Sequence, residues 1–219
     1  MRGEHMVKVK ICGFTRADDV KAASDLGVDM VGVIVIPSSP RGLTLDQAKD
    51  VLKAGKNVAK VAVIMPSSPA EASAVARRLN IDCLQIHSKF SAAQLAEIKK
   101  LSGKKIIGVV AIPQKILDRK EILDRAIEVS EAVDYVLLDT KGSSGGGTGL
   151  THDWRFSREI RDAVGKPVFL AGGLNPNNAK DAIEMVRPYG VDVATGVESA
   201  LGKKDPKLMR AFIEAAKAM

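Results

Sequence analysis

Short apolar runs rich in β-branched residues recur along the chain, each followed by a longer stretch whose apolar residues return every three or four positions. The first pattern suits a strand buried on both faces and the second an amphipathic helix, so their alternation predicts parallel βαβ units. Eight strands are expected, over residues 7–12, 30–36, 58–65, 83–87, 105–110, 135–139, 168–171 and 191–194. Thr15, Thr44, Ser67 or Ser68, and Ser91 stand where a side-chain oxygen would cap the helix that follows, and Gly27, Gly55 and Gly103 where helices would end. Further helices are expected over 114–129, 153–164, 176–186 and 205–218. Eight such units in 219 residues match a single α/β domain, a closed (β/α)8 (TIM) barrel whose right-handed crossovers leave no sheet edge. The barrel accounts for residues 7–219, and residues 1–6 read as an N-terminal extension, since the strand pattern begins only at Met6 or Val7.

Composition narrows the class. Hydrophobic residues at 46% and charged residues at 27% describe a globular enzyme rather than a disordered chain. The longest apolar runs, MVGVIVIP and VAVIM, fall well short of the roughly 20 residues of a membrane span. MRGEHM leads into no apolar signal region, so a cytoplasmic protein without a membrane partner is expected. The two cysteines, Cys12 and Cys83, then read as free thiols, and neither has metal-ligand spacing. A net charge of +7 could suggest nucleic acid, but Lys and Arg are interleaved with acids at helical spacing, and aromatics are only 4%. No nucleic-acid partner is expected; a dispersed basic surface instead favours small anions.

In a barrel of this type the site lies at the carboxyl ends of the strands. That filter selects Cys12, Arg41 (a few residues beyond its strand), His87 and Asp139. Each has a bland alternative: Cys12 as packing, His87 as hydrogen-bonded structure, Asp139 as a loop cap, Arg41 as a solvated cation. LAGGLNPNNA and VATGVES, after strands 7 and 8, supply glycines and a helix start suited to phosphate. The glycine-dense DTKGSSGGGTGLTHDW follows strand 6; such a loop either disorders or closes over a ligand, and the barrel mouth favours closure, with Asp153 capping the next helix and Trp154 packing it. Cys83 starts its strand and is expected to pack.

The ordered set KICG, SSPR, LQIH, VLLDT, GGGTG, LAGGLNPNNA and GVDVATGVES, spread over about residues 7–218, resembles phosphoribosylanthranilate isomerase of tryptophan biosynthesis. The resemblance implies an aldose-ketose isomerase acting without cofactor or metal, as a monomer or homodimer. It implies that N-(5-phosphoribosyl)anthranilate, a phosphosugar carrying anthranilate, undergoes an Amadori rearrangement. It also places the general base on Cys12, the general acid on Asp139, and substrate-binding residues on Arg41 and His87. A thiolate is a competent base where nearby charge lowers its pKa, and a shielded carboxyl can stay protonated near neutrality. The phosphate grip falls on Gly172, Gly173 and Gly196, with Thr195 offering a hydroxyl and Gly147 and Gly149 as further backbone donors. The chain departs from the family pattern at Ser88 and Lys89, where a glycine usually follows the histidine, at Ala194 and Thr195, where two serines are usual, and in the extra glycine of GGGTG.

Overall fold

The structure, a computed structural model, describes residues 6–140 and 151–218. Strands and helices alternate: β1 (Lys8–Cys12), α1 (Ala17–Asp25), β2 (Met30–Ile34), α2 (Leu45–Lys53), β3 (Ala59–Ile64), α3 (Pro69–Arg78), β4 (Cys83–Ile86) and α4 (Ala92–Ser102) form the first half. The second half holds β5 (Lys105–Ile112), α5 (Arg119–Ala132), β6 (Tyr135–Thr140), α6 (Trp154–Ala163), β7 (Val168–Leu170), α7 (Ala179–Val186), β8 (Gly190–Val193) and α8 (Pro206–Lys217). A small antiparallel pair, β9 (Glu198–Ala200) and β10 (Lys203–Lys204), separates β8 from α8 and has no counterpart in the expected pattern. Strands β1 to β8 pair in parallel in chain order, and β8 returns to β1 to close the barrel. Among the described residues no helix is long and apolar enough to cross a membrane.

Local chemistry explains most of the boundaries. Thr44 and Ser91 form capping boxes with Gln47 and Gln94, and Ser68 rather than Ser67 caps α3. Thr15 does not cap α1; its hydroxyl donates to the Gly202 carbonyl at 2.7 Å, and α1 starts after Arg16 without a side-chain cap. Helix α5 starts at Arg119, not near Gln114, because β5 runs on to Ile112 and Asp118 supplies the cap. Helix α7 likewise starts late, at Ala179, since the Asn178 side chain accepts from Asn175 N and folds the intervening residues into a turn. Gly103 ends α4 in the left-handed region, whereas near the end of α2 that conformation falls on Asn57 rather than Gly55.

Strand alternation then sorts side chains into two shells. Val9 and Ile11 join the apolar layer between sheet and helices, which leaves Lys8, Lys10 and Cys12 on the inner face of β1. Inside, Met30, Val61, Cys83, Ile107, Leu137 and Phe169 form a separate cluster. The rings of Tyr135, Phe169 and Tyr189 pack with centroids 5.5 to 5.9 Å apart at the amino end of the strands. The lower barrel is thus filled, and Cys83 packs there as expected. Polar side chains occupy the upper half.

Candidate active site

A cavity of about 1190 Å³ opens at the carboxyl ends of the strands, lined by Cys12, Arg41, His87, Asp139, Gln85 and Asp192 among others. The four strand-end residues singled out in the sequence therefore meet in one space. Cys12 closes β1 opposite Gly32 of β2, where a Cβ would come within 2.9 Å of its sulfur. Gly13 then turns the chain away at φ +77°, and a Cβ there would sit 2.8 Å from Arg41 Cδ. One glycine thus accommodates both the turn and the arginine.

Beneath Cys12, two residues down the same face, lies Lys10. It is fully buried and paired with Asp192, its direct neighbour on β8, at 2.8 Å. Burial pushes the Cys12 thiol above its ordinary pKa; Lys10 and Lys204 pull against that shift, and Asp192 adds to it. Desolvation in the barrel therefore outweighs the lowering that the neighbouring ammonium groups give this thiol. Asp139 is raised to about 7, first by burial and then by the charge of Asp192, with the Thr140 backbone N–H and Lys10 opposing. The expectation of a carboxyl that holds its proton near neutrality agrees with this environment. His87 is kept neutral, its pKa pushed down to about 4 by burial and by Lys10. Its Nε2 lies 3.0 Å from the Gln85 amide nitrogen, a contact whose donor is set by the ring tautomer.

Arg41 is not a free cation. Its Nε and Nη2 each donate to Glu198 at 2.7 Å, a bidentate pair in which both side chains are nearly sealed from solvent. Glu198 also accepts from Lys204 Nζ at 2.9 Å, and that ammonium donates in turn to the Ala194 carbonyl. A guanidinium carries five N–H groups, so among the described residues the end formed by Nη1 and the second Nη2 hydrogen is left for another acceptor. Arg41 can hold a ligand carboxylate end-on while Glu198 grips its side.

After strands 7 and 8 the backbone approaches closely. Gly172 and Gly173 both lie at positive φ, and a Cβ on Gly172 would come within 2.0 Å of Thr140 Oγ1. Gly172, Gly173 and Thr195 line the cavity. Gly196 instead packs against the β7 loop, where a Cβ would lie 2.0 Å from the Leu174 carbonyl. Gly147 and Gly149 lie outside the described residues. Ser88, at a departure from the family pattern, is fastened by donation to the Pro66 carbonyl at 2.6 Å. Asp153 caps α6 as expected, and Trp154 packs partly buried against the core.

Lys10, Gln85, Asp192, Glu198 and Lys204 belong to this environment yet escape a filter that keeps only residues closing a strand. A signal was present: in KVKIC and GVDV a charged residue interrupts an apolar run that reads as a strand buried on both faces, a placement rare without a partner.

Fold and cavity define a class first: a (β/α)8 barrel enzyme with a thiol, a high-pKa carboxyl and an arginine converging at the carboxyl end. Comparison with known proteins specifies it further. Residues 9–215 match the family described as N-(5'-phosphoribosyl)anthranilate (PRA) isomerase. The chain is 40% identical over 212 residues to that isomerase from Methanocella arvoryzae, covering 95% of this chain and 97% of the relative. The Aquifex aeolicus enzyme is 39% identical over 215 residues, covering 97% and 99%. A crystal structure of phosphoribosyl anthranilate isomerase from Thermotoga maritima superposes with a TM-score of 0.85 at 32% identity, covering 98% of this chain and all of that one. A second, in complex with reduced 1-(o-carboxyphenylamino)-1-deoxyribulose 5-phosphate, gives 0.82 at 30% identity, covering 98% and 100%. The chain belongs to the N-(5'-phosphoribosyl)anthranilate isomerase family of tryptophan biosynthesis.

Proposed function

We infer that this protein converts N-(5'-phosphoribosyl)anthranilate to 1-(2-carboxyphenylamino)-1-deoxyribulose 5-phosphate, with Asp139 as general acid and Cys12 as general base. The observation that carries the reading is a single cavity in which a carboxyl with a pKa of about 7 on β6 faces the same space as a buried thiol on β1. Asp139 protonates the furanose ring oxygen as the ring opens to a protonated Schiff base. Cys12, as thiolate, removes the C2 proton to give the enolamine. A thiol of raised pKa is scarce as thiolate but is the stronger base once ionised.

The substrate's two anionic ends fit the two sides of the mouth. The free end of Arg41 suits the anthranilate carboxylate, and the β7 and β8 loops at Gly172, Gly173 and Thr195 suit the phosphate, with Gly196 holding the two loops together. Neutral His87 lines the wall as a hydrogen-bonding group rather than a charge.

The assay follows loss of phosphoribosylanthranilate fluorescence. Cys12→Ala and Asp139→Asn are each expected to lower kcat by roughly 100-fold or more with an unchanged far-ultraviolet spectrum. Near-normal turnover in both would refute the assignment of roles.

A further inference from the structure

Asp192 presents a feature the two-residue mechanism does not use. Its Oδ2 is tied to Lys10 at 2.8 Å, but its Oδ1 is buried without a hydrogen-bond partner among the described residues. The residue is only 7% exposed, Lys10 is fully sealed, and Asp192 lines the same cavity as Cys12 and Asp139. A buried carboxylate oxygen without a donor is unfavourable, so the site is completed by a donor arriving from the cavity. A carboxylate accepts only, which rules out the ligand's phosphate and carboxylate as partners and leaves its hydroxyl groups and its anilino N–H.

We propose that Asp192 is a third catalytic residue: its Oδ1 accepts the C2 hydroxyl of the substrate and takes that proton as the enolamine becomes the ketone. The proposal rests on Cys12 and Asp139 acting as base and acid. Position selects C2: the carbon whose hydrogen goes to Cys12 also bears this hydroxyl, and β8, which carries Asp192, lies beside β1, which carries Cys12.

The protons balance without a co-reactant. Ring opening breaks the C1–O bond and moves one proton from Asp139 to the ring oxygen. Cys12 takes the C2 proton, forming the enolamine. The hydroxyl O–H then breaks toward Asp192 as C2=O forms, the C1=C2 electron pair shifts to C1, and the Cys12 thiol returns its proton to C1. Asp139 ends ionised and Asp192 protonated, and passage of one proton between the two carboxyls restores the enzyme. Burial raises the pKa of both carboxyls, the charge of Asp192 adds to the rise at Asp139, and Lys10 limits the rise at each.

The test is Asp192→Asn assayed in deuterium oxide, with the sugar of unreacted substrate recovered for mass spectrometry. Turnover is expected to fall roughly 100-fold, and deuterium to appear at C2 of the recovered sugar, because the enolamine forms and reverts while its collapse to ketone is blocked. Turnover within threefold of the parent, or a fall without label at C2, would overturn the proposal. Should the unpaired Lys10 prevent folding, Lys10→Met/Asp192→Asn removes the stranded ammonium and is read by the same label. Exchange that survives in Cys12→Ala/Asp192→Asn would instead unseat Cys12 as the base, so the two failures are told apart.

Discussion

In the proposed mechanism, Cys12 and Asp139 hold their protons in the opposite order to the one the reaction needs. The reactive form pairs a thiolate with a protonated carboxyl, yet the thiol lies above its ordinary pKa and the carboxyl near 7. Below pH 7 the fraction of this form rises tenfold per unit as the thiol ionises. Between the two pKa values, gain of thiolate and loss of carboxyl proton cancel, and above the thiol pKa the fraction falls. Accordingly kcat/KM measured against pH should drop below about pH 7, stay level into the alkaline range and drop again beyond it. The lower break belongs to Asp139, so the residual activity of Asp139→Asn should keep rising through pH 7. A lower break that stays in place in that variant would contradict the assignment.

Among the elements, the β9–β10 pair is the one with no expected counterpart, and it is bonded to the arginine of the site. It carries Glu198 and Lys204, the residues that fix Arg41. Lys204 is held from three sides: by Glu198, by the Ala194 carbonyl, and through its backbone N–H by Asp19 of α1 at 2.9 Å. Glu198→Gln keeps the shape but removes the charge that aligns the guanidinium. It should raise KM by about tenfold, equivalent to ~1.4 kcal/mol, with kcat within about threefold, in steady-state kinetics on protein of unchanged circular dichroism. An equal fall in kcat with constant KM would place Glu198 in the chemical step instead.

Across the whole molecule the barrel divides its labour along its axis. The lower half is apolar and closed by aromatic rings, while the upper half carries buried charge in exchange for chemistry. Ile107 is fully buried in the lower cluster and lies far from the strand ends that hold Cys12 and Asp139. Ile107→Ala should lower unfolding free energy by about 2–5 kcal/mol in urea titration, while the folded protein turns over at the parental rate. A loss of kcat at full folding would show that the lower core positions the mouth directly.

Eight units, their order and the four strand-end residues were legible in the sequence, because periodicity and caps are local and each strand end is marked by a change from apolar to polar. The late starts of α5 and α7 follow from a strand that runs on to Ile112 before the Asp118 cap in the one case and from the Asn178 turn in the other. What local pattern could not reveal was pairing. Lys10 meets Asp192 from 182 residues away, and Arg41 meets Glu198 from 157. These distances exist only once the barrel closes β8 onto β1. The sequence by itself determined the strands, helices and candidate groups, since side-chain alternation and capping act within a few residues. Tertiary structure alone decided how those groups ionise and what they touch, because desolvation and Coulomb interaction depend on everything that surrounds a site in space.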